Sequence, residues 1–218
     1  MEKRSIIGLA LSLILCLVVH SCAPKKSNDC GFVQNVYGER IRWKTQFPIP
    51  IYVNSSMPDE LKPAVHRAAA TWESALGQKV FDIIEESSSS SNSAGRDRKN
   101  GIYFLPEWES DRKSEQGRTS VYRAGDEIIE ADISINSANF VYYGNNQTKD
   151  PVLVNKNKST AYGFYSFESL ILHELGHLLG LKHREDGGTV MATYLASGVD
   201  RIELASNDIA DVRCGYGK

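Results

Sequence analysis

Three of the five histidines in this 218-residue chain fall within one run of eleven residues, His173-Glu174-Leu175-Gly176-His177-Leu178-Leu179-Gly180-Leu181-Lys182-His183. No other stretch restricts the fold as strongly. On a helix, residues i and i+4 share a face, so His173 and His177 can offer imidazoles to one cation. Glu174 is turned about 100° from His173, close enough to reach water beside the cation without ligating it. Gly180 ends the helix and lets the chain reverse, so that His183 returns with a third nitrogen. Three neutral imidazoles and one open position make a catalytic zinc site rather than a closed structural one. A bare His-Glu-x-x-His arises by chance in helices. Gly176, Gly180 and His183 at these offsets make a helix of surface histidines the poorer explanation. The other two histidines are ordinary: His20 sits in the leader, and His66 lies on the solvated side of a predicted helix.

The first 21 residues read as transport signal. Glu2, Lys3 and Arg4 precede an uncharged, largely apolar run from Ile6 to Val19. That run is shorter than the roughly 20 residues of a membrane-spanning helix and suits a secretory h-region. It ends at Ser21-Cys22, which resembles a bacterial lipoprotein signal in which the cysteine is lipidated and becomes the first residue; a plain signal peptide is the alternative. Three segments are expected: a signal over 1–21, a lipidated tether or short pro-segment over 22–41, and a catalytic domain over 42–218. The protein is then exported, as an envelope lipoprotein held by its lipid alone or as a secreted protein.

The remaining chain shows one domain's worth of elements and no internal repeat. Ile49–Val53, Val80–Ile84, Ile102–Leu105, Thr119–Tyr122 and Ile128–Asn136 read as strands. In the last, Ile129, Ala131, Ile133 and Ile135 alternate with Glu130, Asp132 and Ser134, the period of a half-buried strand. From Pro58 to Leu76 the spacing of Leu61, Val65, Ala68, Trp72 and Ala75 is helical, and Gly77 stands at the C-cap. Pro63 falls in the first turns, where proline is tolerated. Ser166 can cap a helix reaching about Gly180, and a last helix is expected from Asn207 to Arg213. Residues 85–101, with five serines in a row, 107–118 and 142–159 read as loops. Residues 23–35 are polar and read as tether.

The run from His173 to His183 resembles the metzincin metallopeptidase signature His-Glu-x-x-His-x-x-Gly-x-x-His. Thr189-Val190-Met191-Ala192 is similar to the metzincin Met-turn, a methionine turn beneath the zinc. Within metzincins the chain best resembles the matrixins, through Trp72, through Glu130-Ala131-Asp132-Ile133-Ser134-Ile135-Asn136, and through Ser206-Asn207-Asp208-Ile209 with Gly215-Tyr216-Gly217. The resemblance implies an α+β, zincin-like fold. It would have a twisted, mostly parallel sheet of about five strands, an N-terminal backing helix, an active-site helix and a C-terminal helix. It implies a zinc endopeptidase, with His173, His177 and His183 as ligands and Glu174 as general base. Met191 would be an apolar floor, and an extended substrate would lie antiparallel to Ile129–Ile135. Tyr194, Ala131 and Ile133 would line the substrate pocket, with zinc ligation by Tyr194 as the weaker alternative.

The departures from the matrixin pattern carry information. Ser134 stands where a histidine for a second, structural zinc is usual, so one zinc is expected. Arg184 follows the third histidine, where Ser or Thr is usual. Structural calcium is common in the family, and Asp126, Glu127, Glu130 and Asp132 could hold it; a solvated acidic stretch is the alternative. Cys30 and Cys214 remain once Cys16 leaves with the signal and Cys22 carries lipid. They could pair as a disulfide, or stay free. Alternatively Cys30, followed by Gly31, could ligate the zinc as a latency switch of the matrixin kind.

Composition bounds the function. Apolar residues at 41% and charged residues at 24% describe a globular protein. Twenty-five basic against 27 acidic side chains argue against a nucleic-acid binder, which carries a basic excess. A monomer acting on protein or peptide substrates is expected. Two rivals stand beside it: a retired metzincin serving as a binding or adhesion lipoprotein, and an enzyme acting on cell-wall peptides. The intact Glu174 speaks against the first, and the lack of an aromatic carbohydrate platform against the second.

Overall fold

The computed structural model describes residues 28–88, 93–153 and 163–217. The expected signal and Cys22 lie outside the described residues. In chain order the elements are β1 (Ile49–Val53), α1 (Lys62–Leu76), β2 (Phe81–Glu85), β3 (Gly101–Leu105), β4 (Gly117–Ala124), β5 (Glu127–Asn136), β6 (Tyr142–Tyr143), β7 (Pro151–Val152), β8 (Tyr165–Ser166), α2 (Phe167–Leu178) and α3 (Ser206–Tyr216). Five strands form the main sheet in the order β2-β1-β3-β5-β4. All are parallel except β4, which runs antiparallel to β5. This is the mixed, mostly parallel sheet expected, with its three helices. Within the expected loop 142–159, β6 and β7 pair with each other, and β6 also pairs with β8.

The backing helix α1 starts later than its apolar spacing suggests. Pro63 lacks an N–H and is confined to the first turn, so residues 58–61 form a turn instead. Gly77 closes the helix in the left-handed conformation at φ 65°. Trp72 is fully buried between α1 and α2, and its indole N–H donates to the Leu172 carbonyl at 2.9 Å. That bond ties the backing helix to the helix that carries two of the histidines.

The alternation in β5 does not make it half-buried: Glu130 to Asn136 are buried on both faces. The carboxylates of Glu130 and Asp132 replace water with backbone donors from the preceding loop. Asp97 and Arg98 N–H groups donate to Glu130 at 2.9 and 2.8 Å, and Gly95 and Gly101 N–H groups to Asp132 at 3.0 and 2.9 Å. Burial pushes the Asp132 carboxyl up to about 6, against the pull of those donors. These side chains are therefore not a solvated stretch: their carboxylates are bonded to backbone N–H groups. Asp126 instead pairs with Lys44 at 2.6 Å. Nor is β5 the sheet edge. It lies between β3 and β4, so the edge beside the cleft is β4, and Ala131 and Ile133, both 0% exposed, belong to the core.

The amino-terminal segment is more than a tether. Phe32 is 1% exposed and joins the core beside Tyr216. Cys30 and Cys214 are joined by a disulfide across 184 residues of chain. By loop closure such a link stabilises a fold by about 2–5 kcal/mol. The strap continues through paired contacts, Val33 N–H to Gly180 carbonyl at 2.9 Å and Lys182 N–H to Gly31 carbonyl at 2.8 Å. Among the described residues, no helix is long and apolar enough to cross a membrane.

Candidate active site

Helix α2 is placed by its cap. Ser166 is fully buried, and its hydroxyl accepts from the Ser169 N–H at 3.2 Å. That fixes the helix start and so the direction of His173 and His177. Beyond Leu178 the chain reverses at Gly180, whose φ is +97°. His183 then returns to the same face. The three Nε2 atoms lie 3.0 to 3.2 Å from one another. Four-coordinate zinc with Zn–N bonds of about 2.0–2.1 Å places its nitrogens about 3.3 Å apart, so the spacing fits the ion.

The outer nitrogens explain which lone pairs face inward. Nδ1 of His173 donates to the Val190 carbonyl at 2.7 Å, and Nδ1 of His177 to the Leu181 carbonyl at 2.8 Å. Each bond leaves Nε2 unprotonated and aimed at the shared point. Burial lowers His173 and His177 to about 4, and lowers His183 as well. Three neutral acceptors turned on one another are a donor set for a cation. Among the described residues this is the cluster that could hold one.

Glu174 projects from the same turn and is 3% exposed. Burial raises its carboxyl, while His177 and a hydrogen bond from Thr119 pull it back. The Thr119 hydroxyl donates to its Oε2 at 2.6 Å, which ties the carboxylate to the edge strand β4. A Cβ at Gly117 would stand 3.0 Å from its Oε1, so the strand passes the carboxylate at close range.

Met191 lies beneath, 1% exposed. A Cβ on Gly176 would sit 2.3 Å from its sulfur, so the glycine admits the methionine against the helix. The turn is held from α3, where fully buried Asp208 accepts from the Val190 N–H at 3.0 Å and the Ala205 N–H at 2.9 Å. Arg184 donates through its backbone to the Met191 carbonyl at 2.9 Å and pairs through its side chain with Asp211 of α3. The unusual residue after His183 thus links ligand loop, Met-turn and last helix.

His173, Glu174, His177, His183 and Thr119 line one cleft of about 540 Å³. Tyr194 lines it and is 72% exposed, a wall residue at the rim. Arg201 also lines it and braces the rim, donating to the Tyr194 carbonyl at 2.9 Å. Cys30, in its disulfide, is not a zinc ligand in this structure. Thr119, Asp208 and Arg201 escaped sequence reasoning. In the sequence Asp208 stands only within the Ser206–Ile209 segment similar to the matrixins, and Thr119 only as the start of a strand, neither with a role. Thr119 and Arg201 reach the site only through tertiary pairing.

The model of the matrixin family matches residues 44–217. The chain belongs to the matrixin family. Three relatives align with this matrixin over shorter stretches. They are metalloendoproteinase 1 of Glycine max (37% identity over 28% of this chain and 20% of the relative), metalloendoproteinase 5-MMP of Arabidopsis thaliana (40%; 23% and 14%) and matrilysin of Felis catus (41%; 24% and 21%). The aligned part of the chain thus spans about a fifth or less of these relatives' lengths. Family and three-histidine cluster together support a zinc metalloprotease.

Proposed function

We propose that this matrixin is a zinc endopeptidase that cleaves internal peptide bonds, with Glu174 as general base. The observation that carries this is the convergence of the Nε2 atoms of His173, His177 and His183 beside a buried carboxylate, at the edge of a strand that lines a cleft. Bound by His173, His177 and His183, zinc would polarise the scissile carbonyl and acidify water. Glu174 takes a proton from the attacking water and hands it to the leaving amine. Thr119 aims the carboxylate, and Met191 supplies an apolar floor. The substrate adds a strand antiparallel to β4, the better-bonded pairing, with its amino-terminal half over the Ala124 end. The protein works as a monomer.

Stripping the metal with a chelator should abolish casein cleavage, and one equivalent of zinc should restore it. A zinc-loaded protein that cuts neither casein nor a peptide library would overturn the endopeptidase reading and favour a binding role.

We also propose that the protein is exported and anchored through a lipid on Cys22, on the strength of the apolar run that ends at Ser21-Cys22. Cys22→Ser should move it from the membrane fraction to the soluble one and remove labelling by a fatty acid. Unchanged labelling would sink the anchor.

A further inference from the structure

We propose that the amino-terminal strap, through Val33 and Ile41, forms one wall of the substrate cleft and selects an aliphatic side chain on the amino-terminal side of the scissile bond. This rests on the endopeptidase reading and adds a specificity element to it. Both residues precede the span that the family model matches, which begins at residue 44. The wall therefore lies outside the span matched to the family.

Placement comes first. Val33, Ile41, Val121 and Leu181 line the cleft that holds Glu174 and the histidines. Along β4, side chains alternate between the two faces, so Thr119, Val121 and Arg123 share one face and all line the cleft. Thr119 touches Glu174. Val121 is two residues further along, about 7 Å at strand rise. A peptide antiparallel to β4 that places its scissile bond at Glu174 carries its preceding residues past Val121. They then face the strap.

Chemistry and rigidity come next. The four residues are aliphatic, and Val33 keeps 44% of its surface exposed, so it offers an apolar face for a substrate to cover. The strap is held on several sides. The Cys30–Cys214 disulfide fixes its start to α3. Val33 N–H donates to Gly180, and Ile41 N–H to Val33 at 2.8 Å. Arg42 N–H donates to the Asp126 carbonyl at 3.0 Å, and Ile128 N–H to the Arg42 carbonyl at 2.9 Å, which joins the strap to the β4–β5 hairpin. A wall fixed before the substrate arrives adds selectivity without an ordering cost.

The test uses fluorogenic peptides that share one cleavage site and carry leucine or glycine at each of the three positions before it. The purified wild type should favour leucine at one or more of these positions by about 10-fold in kcat/KM. Val33→Ser and Val33→Asp should bring that ratio toward one, Val33→Ile should keep it, and zinc content should match wild type in all three. A wild type that cuts without leucine preference would overturn the inference and leave the endopeptidase reading standing. So would serine and aspartate variants that retain the full ratio. Failure of the wild type to cut any peptide would overturn both.

Discussion

Glu174→Gln should keep its zinc and lose about 10²–10⁴-fold in kcat/KM on an internal peptide bond, the range that general acid–base catalysis contributes. Glutamine preserves the shape that lies close to Gly117. Its amide oxygen can still accept from the Thr119 hydroxyl, so the link to β4 survives. What disappears is a group able to take a proton near neutral pH. In the parent protein, burial has already moved that carboxyl upward, toward the range where a base is most useful. Two of the Nε2 atoms that would hold the metal, those of His173 and His177, are oriented by the Val190 and Leu181 carbonyls, not by Glu174. Metal content and rate should therefore separate. Equal loss of zinc and activity would make Glu174 a structural prop, and casein cleavage at the wild-type rate would remove it from the chemistry.

The site's ligands were legible in the sequence because they are local. His173, Glu174 and His177 lie within about one turn of α2, and Gly180 and His183 follow at once, so helical spacing alone places three of the five. The Met-turn is legible only through its likeness to the metzincin motif, not through spacing. What surrounds them is set by pairing between distant segments. Burial of Glu130 and Asp132 depends on backbone N–H groups from residues 95–101, which no period within β5 can reveal. Alternating apolar residues look identical in a half-exposed strand and in one whose polar face is capped by a loop. The same limit explains the misplaced substrate edge. Strand order is a tertiary property, and β4, without the alternating apolar residues of β5, gave weaker signal although it is the strand beside the cleft. The polar stretch after the expected signal hid Phe32 and Ile41, two core residues in the segment 22–41 expected as tether or pro-segment.

Gly180→Ala should be the most damaging small substitution near the site. Two costs combine there. A φ of +97° lies outside the left-handed well that other residues tolerate, a strain of about 1–3 kcal/mol. The new methyl would also meet the Ile41 carbonyl oxygen at 2.2 Å and the Phe32 ring at 3.2 Å. A backbone oxygen cannot swing aside, so the strap must move away, and crowding of this kind costs about 1–3 kcal/mol more. Because the strap and the turn to His183 share this contact, the damage should reach both. The thermal midpoint should fall by about 10 °C, and zinc should be lost at lower chelator concentration than from the parent. Gly77→Ala supplies the comparison. Its φ of +65° is also left-handed, yet nothing lies within 4 Å of the added methyl. It should cost about 1 kcal/mol and leave zinc retention untouched. If the two variants behaved alike, backbone strain alone would account for Gly180, and the close approach of the strap to the ligand loop would carry no energetic weight.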